Sequence, residues 1–358
     1  MCPSPDGKIH PATRQGPIGV GVIGYGYWGP NLARNFADCP DTDLIAIADL
    51  KENLAAIARK RHPGSIITTS PKELIENPKV DAVIIATPVS THHALAMQAL
   101  KAGKHVLVTK PLASSTEQCL ELIEEAAKRK LILSVDHTFV YTGAVRKIHE
   151  LIAKGELGDI YYYDSVRVNL GLFQHDVNVV WDLAVHDLSI MDFVLSKKPV
   201  AVSATGISHV PGKPENTAYL TLFFDDKLIG HVHANWLSPV KLRQTLIAGS
   251  KKMIVYDDLE PSEKIKIYDK GITLNGDAES VYKMLVGYRA GDMWAPQIDI
   301  TEALKVEAKH FAACVTGKEK PLTPGEAGLR TIQLLEAATR SMQNRGQPVE
   351  LPAVHARS

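Results

Sequence analysis

The chain has 358 residues, enough for about two domains, and its 40 basic residues balance its 40 acidic ones. No long run of either charge occurs, which argues against nucleic acid and anionic membranes as partners. Its four cysteines lie far apart without a CxxC spacing, and no apolar stretch approaches the ~18 residues that span a bilayer. We therefore expect a soluble, cytoplasmic protein without disulfides or a zinc site.

Residues 1–16 contain prolines, glycines and polar residues but no apolar core, and we predict a flexible tail. The β-branched run Ile18–Ile23 follows and is typical of a buried parallel strand. It ends at Gly24–Gly29, which reads Gly-Tyr-Gly-Tyr-Trp-Gly and places a G-x-G-x-x-G motif where a strand turns into a helix. Gly19 and Gly21 offer an alternative register, which we reject because it would put the turn inside the apolar run.

The glycines of this motif have separate roles in binding a dinucleotide. Gly24 permits the tight turn, Gly26 lets the backbone approach a pyrophosphate, and Gly29 lets the next helix pack closely on the strand. Free N–H groups at the start of that helix face the phosphates. We include Tyr27 and Trp28, in the same loop, among the predicted cofactor-binding residues.

A carboxylate follows the second predicted strand, residues 44–48. Asp49 stands twenty residues beyond Gly29, at the distance where an acidic side chain accepts hydrogen bonds from the adenosine ribose hydroxyls. It would repel a 2′-phosphate, and Leu50 follows it rather than an arginine. The sequence therefore favours NAD over NADP.

Four further apolar segments alternate with helical patterns, at 66–69, 80–86, 106–108 and 131–135. Six strands alternating with helices predict a doubly wound parallel sheet, the Rossmann arrangement, over residues 17–137. Ligands bind at the carboxyl ends of such strands. We expect these ends to face the same crevice as the glycine loop: Thr87, Pro88, Thr109, Lys110 and the residues after Val135.

The pattern changes in residues 138–358. Helices are predicted at 143–154, 180–195, 301–315 and 324–344. Extended segments rich in aromatic and β-branched residues lie at 160–168, 200–208, 218–224, 228–236, 242–248, 253–256 and 265–268. We predict a substrate-binding α+β domain with a large, mostly antiparallel open sheet that carries helices on one face. Its other face is predicted as the interface of a homodimer or homotetramer, with exposure to water as the alternative.

Lys110 is the first candidate for chemistry. It ends the fifth strand, and Pro111 fixes the backbone after it, so the ammonium projects from a defined turn. There it can hold a substrate hydroxyl and favour its ionised form. The alternative is a solvated loop lysine.

A second candidate site is the pair Asp182 and His186. On a helix these residues are four apart and share one face, and the surrounding residues are largely apolar. A histidine beside a carboxylate is a plausible proton acceptor with its ring orientation fixed. The alternative is an ion pair on the helix surface, and Asp187 on another face is interpreted as structural.

Other side chains are assigned to the site from their position. His92 and His93 open the helix after Pro88, so one can line the cofactor groove, but their side chains point about 100° apart and we predict no metal site. Arg167 and Asn169 stand at the end of a second-domain strand and are candidate substrate contacts, with a structural salt bridge as the alternative for Arg167.

Together these motifs resemble those of the glucose–fructose oxidoreductase/inositol dehydrogenase (Gfo/Idh/MocA) family. The resemblance covers about residues 18–330. It rests on Gly24–Gly29, Asp49, Thr87-Pro88 with His92, Gly103–Val106 leading into Lys110-Pro111, Gly155–Gly158, and Asp182 with His186. It implies NAD(P)-dependent oxidation or reduction of a sugar or cyclitol hydroxyl. It assigns Lys110 to the lysine of the family's Glu-Lys-Pro, Asp182 to its inner acid and His186 to its proton-transfer histidine.

Two of the chain's departures from the family pattern affect the predicted site. Thr109 replaces the usual glutamate before the lysine, which removes a carboxylate from the nicotinamide side. Asn178–Trp181 replaces the glycine-rich stretch before the Asp…His helix, and Trp181 is predicted to line the substrate side.

Within the family, the chain looks most similar to nucleotide-sugar and amino-sugar members that act at C3 of a hexose. We therefore expect an NAD-dependent oxidoreductase for a sugar hydroxyl or ketone. The alternatives are an inositol or free-aldose dehydrogenase, a non-catalytic NAD sensor motivated by Thr109, and an enzyme that retains its nicotinamide and recycles it between two sugars.

Overall fold

A computed structural model of the chain describes residues 16–171, 177–269, 271–274, 286–289 and 291–352. Apart from Gly16, the predicted tail lies outside the described residues. The chain divides into two compact units. The first holds the described residues up to Thr109 with Leu122–Ser134 and Leu304–Pro321, and the second holds the rest. Among the described residues, no helix is long and apolar enough to cross a lipid bilayer.

A six-stranded parallel sheet forms the first predicted domain. Its strands are β1 (Ile18–Ile23), β2 (Thr42–Ala48), β3 (Ile66–Thr68), β4 (Ala82–Ile85), β5 (His105–Thr109) and β6 (Leu133–Asp136). They lie in the order β3-β2-β1-β4-β5-β6, which confirms the doubly wound fold. The order reverses between β1 and β4, the position at which such sheets bind ligands.

A nine-stranded mixed sheet organises the second unit. Its strands are β7 (Ile160–Leu170), β8 (Ala201–Ile207), β9 (Thr217–Phe223), β10 (Ile229–Asn235), β11 (Leu237–Gly249), β12 (Met253–Asp257), β13 (Ile265–Tyr268), β16 (Met293–Trp294) and β17 (Val349–Glu350). Their order is β16-β13-β12-β11-β7-β10-β9-β8-β17, and among the described pairs only β7 and β10 are parallel. The backbones of β14 (Gly271–Leu274) and β15 (Val286–Arg289) form a separate antiparallel pair. The large, mostly antiparallel sheet is confirmed.

The helices follow the predicted periodicity closely. They are α1 (Gly29–Asp38), α2 (Glu52–Arg61), α3 (Pro71–Glu76), α4 (His92–Lys101), α5 (Thr116–Arg129), α6 (Gly143–Ala153), α7 (Val185–Val194), α8 (Ala303–Val315) and α9 (Gly325–Gln343). A single π-helical turn, Val180–Ala184, precedes α7. The predicted helix 180–195 is therefore two different kinds of helix, a difference that matters for Asp182.

Helix α8 packs in the core of the first unit, although the sequence reading placed it in the second domain. Its Leu304 and Phe311 are buried in the cluster formed by β1 and α1, and Phe311 meets Phe36 edge to face at 6.1 Å. Helical periodicity identifies an apolar face but carries no information about which core receives it.

Glycines in β1 explain why the alternative motif register fails. A Cβ on Gly19 would lie 1.9 Å from the Lys79 carbonyl oxygen, and one on Gly21 would lie 2.5 Å from the Leu74 side chain. Both are strand residues that let neighbouring chain approach, so they do not form the turn.

Alternate residues of the large sheet face opposite sides. On β9 and β10 one set is buried, and the opposite set carries Tyr219, Ile229 and His231 on an exposed face. Helix α9 packs on the buried side, where its Ser341 hydroxyl accepts the Ala204 N–H of β8 at 2.8 Å. Among the described residues, helices thus cover one face, and the opposite face exposes aromatic and polar side chains.

Candidate active site

The glycine loop in the first unit has the geometry of a phosphate-binding turn. Gly24 has φ +96°, and a Cβ there would lie 2.5 Å from the Ala86 carbonyl oxygen. A Cβ on Gly29 would lie 2.0 Å from the Gly24 carbonyl oxygen, so the start of α1 touches the turn directly. A Cβ on Gly26 would meet nothing within 4 Å. Gly26 therefore faces open space, where a pyrophosphate can approach the backbone.

Asp49 lies beside this loop. One carboxylate oxygen accepts the Tyr25 N–H at 2.6 Å, and the other accepts the Lys51 N–H at 2.8 Å. Each oxygen retains a further lone pair, because an ionised carboxylate offers about four acceptor positions. The open glycine loop and this available carboxylate fit the pyrophosphate and ribose of NAD.

The aromatic residues of the loop have different surroundings. Tyr27 is 94% exposed and stacks on Trp28, with ring centroids 6.5 Å apart and an interplanar angle of 21°. Trp28 packs partly against the core of the first unit. Contact of either ring with the cofactor stays a prediction.

The ends of β4 and β5 are joined by His92. Its ring is 1% exposed, with Nε2 2.8 Å from the Thr87 carbonyl oxygen and 3.5 Å from the Thr109 hydroxyl. Exposed Pro88 follows Thr87, and its carbonyl accepts the Thr91 N–H and hydroxyl. His92 thus holds Thr87 and Thr109 in place, rather than presenting an open face to a groove.

Lys110 follows β5 and belongs to the second unit. Its ammonium donates to the Asp182 backbone carbonyl at 2.9 Å and lies 3.4 Å from the Asp182 carboxylate. Burial lowers the pKa of Lys110, while the Asp182 charge and hydrogen bond act to raise it. Side-chain exposures of 25% for Lys110 and 26% for Asp182 leave this pair open to a ligand.

Asp182 is held on its other side by a residue that the sequence reading missed. Its second carboxylate oxygen accepts the indole N–H of Trp236 at 3.1 Å. Asn178 caps the π-helical turn through its side-chain oxygen, which accepts the Val180 and Trp181 N–H groups. This cap begins the helical segment without the glycines expected from the family pattern.

His186 lies on α7, half-buried, with its ring edge to face against Phe139 at 5.0 Å. Its Nδ1 is buried without a hydrogen-bond partner in the described part of the chain, and the Asp182 carboxylate bonds to Lys110 and Trp236 instead. The wider π-helical turn changes the α-helical spacing from which a shared face was predicted. Burial, reinforced by the Lys110 charge, lowers the pKa of His186 well below its ordinary value, so the ring is neutral near pH 7.

Arg167 adopts the salt-bridge alternative. Its Nε lies 2.6 Å and its Nη2 3.2 Å from the two carboxylate oxygens of Asp187, which also accepts the Ser165 hydroxyl at 2.6 Å. The guanidinium lies over the Phe139 ring, 4.6 Å from its centroid. Substrate contact by Arg167 stays a prediction, and what the structure places here is a buried support for Phe139.

Trp181 and Asn169 are the two other predicted substrate contacts. Trp181 donates its indole N–H to the Thr339 hydroxyl of α9 at 3.1 Å, and Asn169 is half-buried near the end of β7. Neither residue's role in binding is tested by these contacts. Among the described residues, no group of three or more His, Cys, Asp or Glu side chains could hold a metal ion.

Phe139 and Trp236 are the supporting residues that sequence reasoning did not name. Phe139 follows β6, among the residues after Val135 that were expected to face the crevice, so a positional signal existed. Trp236 ends an apolar segment, and nothing in its spacing indicates that its N–H reaches Asp182.

Comparison with known proteins places both parts of the chain. Residues 18–137 match the Gfo/Idh/MocA oxidoreductase family, NAD-binding Rossmann fold, and residues 149–351 match that family's C-terminal alpha/beta domain. The chain is 27% identical to scyllo-inositol 2-dehydrogenase (NAD(+)) of Bacillus subtilis, across 95% of this chain and 96% of that enzyme. It is 32% identical to UDP-N-acetylglucosamine 3-dehydrogenase of Acidithiobacillus ferrooxidans, across 57% of this chain and 63% of that enzyme.

A solved structure has the same fold across both units. GenD2 from gentamicin A biosynthesis, in complex with NAD, aligns with a TM-score of 0.79 at 24% identity and covers 94% of this chain and 97% of that one.

Proposed function

The chain belongs to the Gfo/Idh/MocA oxidoreductase family, and we propose that its substrate is a nucleotide-linked or amino sugar oxidised or reduced at C3. It is an NAD-dependent dehydrogenase acting on CH–OH groups. The observation that carries the proposed chemistry is the one-quarter-exposed Lys110–Asp182 pair in the same unit as a neutral, half-buried His186.

The first unit would hold the cofactor. The glycine loop would receive the pyrophosphate, and the Asp49 carboxylate would accept the ribose hydroxyls. When bound, NAD supplies the acceptor for a hydride from the carbinol carbon.

His186 would take up the hydroxyl proton during oxidation and return it during reduction. A neutral imidazole is the form that accepts a proton, and the lowered pKa keeps His186 in that form at neutral pH. Phe139 supports the ring, so the orientation that the sequence reading assigned to Asp182 would come from packing.

Lys110 would hold the substrate oxygen and stabilise negative charge that develops on it. Asp182 would position that ammonium through its backbone carbonyl and its carboxylate, while Trp236 fixes the carboxylate from the other side. Asp182 thus acts on Lys110 in this proposal, and it remains a candidate partner for a sugar hydroxyl.

The C3 assignment is supported by the similarity to the UDP-N-acetylglucosamine enzyme, and an inositol or free aldose is the alternative because the inositol dehydrogenase matches along nearly the whole chain. A substrate panel separates them. Wild-type protein with NAD is offered UDP-N-acetylglucosamine, free glucosamine, glucose, myo-inositol and scyllo-inositol, and reduced nicotinamide is followed by absorbance. Turnover of the nucleotide sugar or of glucosamine supports the proposal, and turnover confined to the inositols or glucose contradicts it.

Thr109 keeps an NAD sensor as a second candidate. The hydroxyl lies 3.5 Å from buried His92, where the family pattern has a carboxylate. A sensor would bind NAD yet convert no member of the panel in either direction. An enzyme that recycles its nicotinamide would instead retain the cofactor through purification and convert one sugar at the expense of another.

We also propose a homodimer or homotetramer formed through the exposed face of the large sheet, in a cytoplasmic protein. The exposed Tyr219 and Ile229 support the interface, and the buried thiols of Cys39, Cys119 and Cys314 fit a reducing compartment. Light scattering of wild type and Tyr219→Lys tests the interface. A smaller assembly in the variant is expected, and an unchanged mass contradicts it.

A further inference from the structure

His137 is a buried histidine that the proposed chemistry does not yet use. It follows β6 directly and precedes the 3-10 turn Thr138–Tyr141, which also carries Phe139. The side chain is 2% exposed, yet neither Nδ1 nor Nε2 has a hydrogen-bond partner in the described chain. Leaving two polar atoms buried and unsatisfied is costly, so an imidazole in this position indicates water at its nitrogens.

A cavity of about 110 Å³ lies against His137. It has room for roughly three water molecules at ~30 Å³ each. Its polar lining consists of His137, Ser189, Asp192, Thr323, Arg330 and Thr331. Leu322 and Arg330, also in the lining, are partly exposed, so the cavity approaches the protein surface.

The charged groups around the cavity determine how readily His137 is protonated. Arg330 makes two bonds of 2.8 Å to Asp192, and Lys198 lies 3.0 Å from the same carboxylate. Although burial raises the pKa of Asp192, these bonds hold it below its ordinary value, so the carboxylate stays ionised. Its charge favours a proton on His137, whereas Lys110 and Arg330 disfavour one. Burial dominates and lowers the pKa of His137 to about 4, so the ring rests neutral and releases any proton it receives.

The cavity also reaches the turn of α7 that carries His186. Ser189 lines it and donates its hydroxyl to the His186 backbone carbonyl at 2.7 Å. Phe139, two residues beyond His137, packs against the His186 ring. The unpartnered Nδ1 of His186 and both unpartnered nitrogens of His137 therefore belong to neighbouring elements of one unit.

We propose that His137 and water in this cavity carry the reaction's proton between His186 and bulk solvent. The inference rests on the proposed function. During oxidation the hydroxyl proton reaches one nitrogen of His186, and the other nitrogen releases a proton to water. His137 then accepts a proton at one nitrogen and releases one from the other into the cavity, so one proton leaves per hydride transferred. Reduction reverses the route.

Substitution of His137 tests the relay. In His137→Gln, we expect kcat to fall about tenfold to a hundredfold, at or below the lower limit for direct proton-transfer groups, because His137 acts through His186. The solvent deuterium isotope effect on kcat should rise because proton release limits turnover, while the dissociation constant for NADH stays unchanged. In His137→Ala, added imidazole should restore most of the lost kcat in a concentration-dependent manner.

The matched control is His105→Gln. His105 is a half-buried histidine whose pKa burial lowers to about 4, and its Nδ1 accepts the Ile132 N–H in the first unit. We expect this variant to keep the wild-type isotope effect. Ala327→Leu fills the cavity without touching a proposed relay group and should raise the isotope effect as His137→Gln does.

The outcomes distinguish a failure of the relay from a failure of the proposed function. If wild type turns over its sugar and His137→Gln retains kcat and isotope effect, the relay is refuted and the proposed function stands. A His137→Ala defect that imidazole leaves unchanged, or a lowered stability with a normal isotope effect, also overturns the relay in favour of a structural role. If wild type converts no sugar or cyclitol, the proposed function fails and the relay fails with it.

Discussion

Two ion pairs of the second unit use aspartates only five residues apart, and their surroundings differ sharply. Arg167 and Asp187 are 3% and 2% exposed, joined at 2.6 and 3.2 Å, with the Ser165 hydroxyl as a further donor. Lys110 and Asp182 are 25% and 26% exposed, with 3.4 Å between ammonium and carboxylate. The first pair is buried, and the second is partly exposed.

This difference in exposure indicates a structural role for the Arg167–Asp187 pair and a chemical role for the Lys110–Asp182 pair. Removing one member of a buried pair leaves an uncompensated charge in a medium of low dielectric constant, so such a pair is costly to break. A partly exposed pair contributes less to stability than a buried one, because water competes for both groups. Lys110 therefore has freedom to exchange its carboxylate contact for a substrate oxygen, whereas Arg167 does not.

The largest expected effect is on the buried pair. Asp187→Ala leaves the Arg167 guanidinium buried without its carboxylate, and we expect the free energy of unfolding to fall by about 3 to 5 kcal/mol. Urea denaturation measures it. The double variant Arg167→Met/Asp187→Leu is the control and should recover much of the loss, because it removes both buried charges. A loss under about 1 kcal/mol in Asp187→Ala would show that the two pairs do not differ as proposed.

The partly exposed pair should show the reverse behaviour. Lys110→Met should lower the free energy of unfolding by less than about 1 kcal/mol. Its kcat should fall about a hundredfold or more, because the group that stabilises the substrate oxygen is gone. Urea denaturation and steady-state kinetics are measured on the same preparation, with NADH binding as the control. Normal kcat, or a stability loss as large as that of Asp187→Ala, contradicts the assignment.

Two glycines of the first unit differ in the same way, since Gly29 is closely packed and Gly26 faces open space. Gly29→Ala forces a Cβ against the Gly24 carbonyl oxygen, and we expect a loss of about 1 to 3 kcal/mol in unfolding free energy. Gly26→Ala meets open space and should preserve stability while weakening NAD binding, since the added methyl occupies the approach of the pyrophosphate. Thermal unfolding and NADH titration distinguish the two. Equal NAD affinity in Gly26→Ala and wild type would place the pyrophosphate elsewhere.

The last prediction concerns His105, a half-buried group that stays neutral at pH 7. The pKa of His105 is lowered to about 4, below the ~6.5 of an unfolded histidine, so the unfolded chain binds more protons between these values. Its contribution to stability is present above pH 6.5 and is lost as pH falls toward 4. His105→Gln should reduce the slope of unfolding free energy against pH by about 1.4 kcal/mol per unit in this window. An unchanged slope would mean that His105 is protonated in the folded protein.

Much of the first unit could be predicted because its signals are local. The apolar run Ile18–Ile23 matches β1 residue for residue, and the glycine spacing and Asp49 lie together as expected. These features depend on strand burial, turn geometry and a short connection, all of which are determined by residues close together in the sequence.

The candidate site was harder because its contacts are long-range. The i,i+4 spacing suggested that Asp182 orients His186, but a π-helical turn intervenes and the carboxylate meets Lys110 and Trp236 instead. Those partners lie 72 and 54 residues away along the chain, where spacing has no predictive value. His92 likewise turned out buried, since helical position alone does not give the direction of a side chain relative to a neighbouring strand.

His186→Gln tests the central claim most directly. We expect the variant to bind NADH as wild type does and to unfold at the same urea concentration. With NAD and the sugar that wild type converts, it should form reduced nicotinamide at least about a hundredfold more slowly. Turnover by this variant at the wild-type rate would contradict the account, because a group other than His186 would then accept the proton.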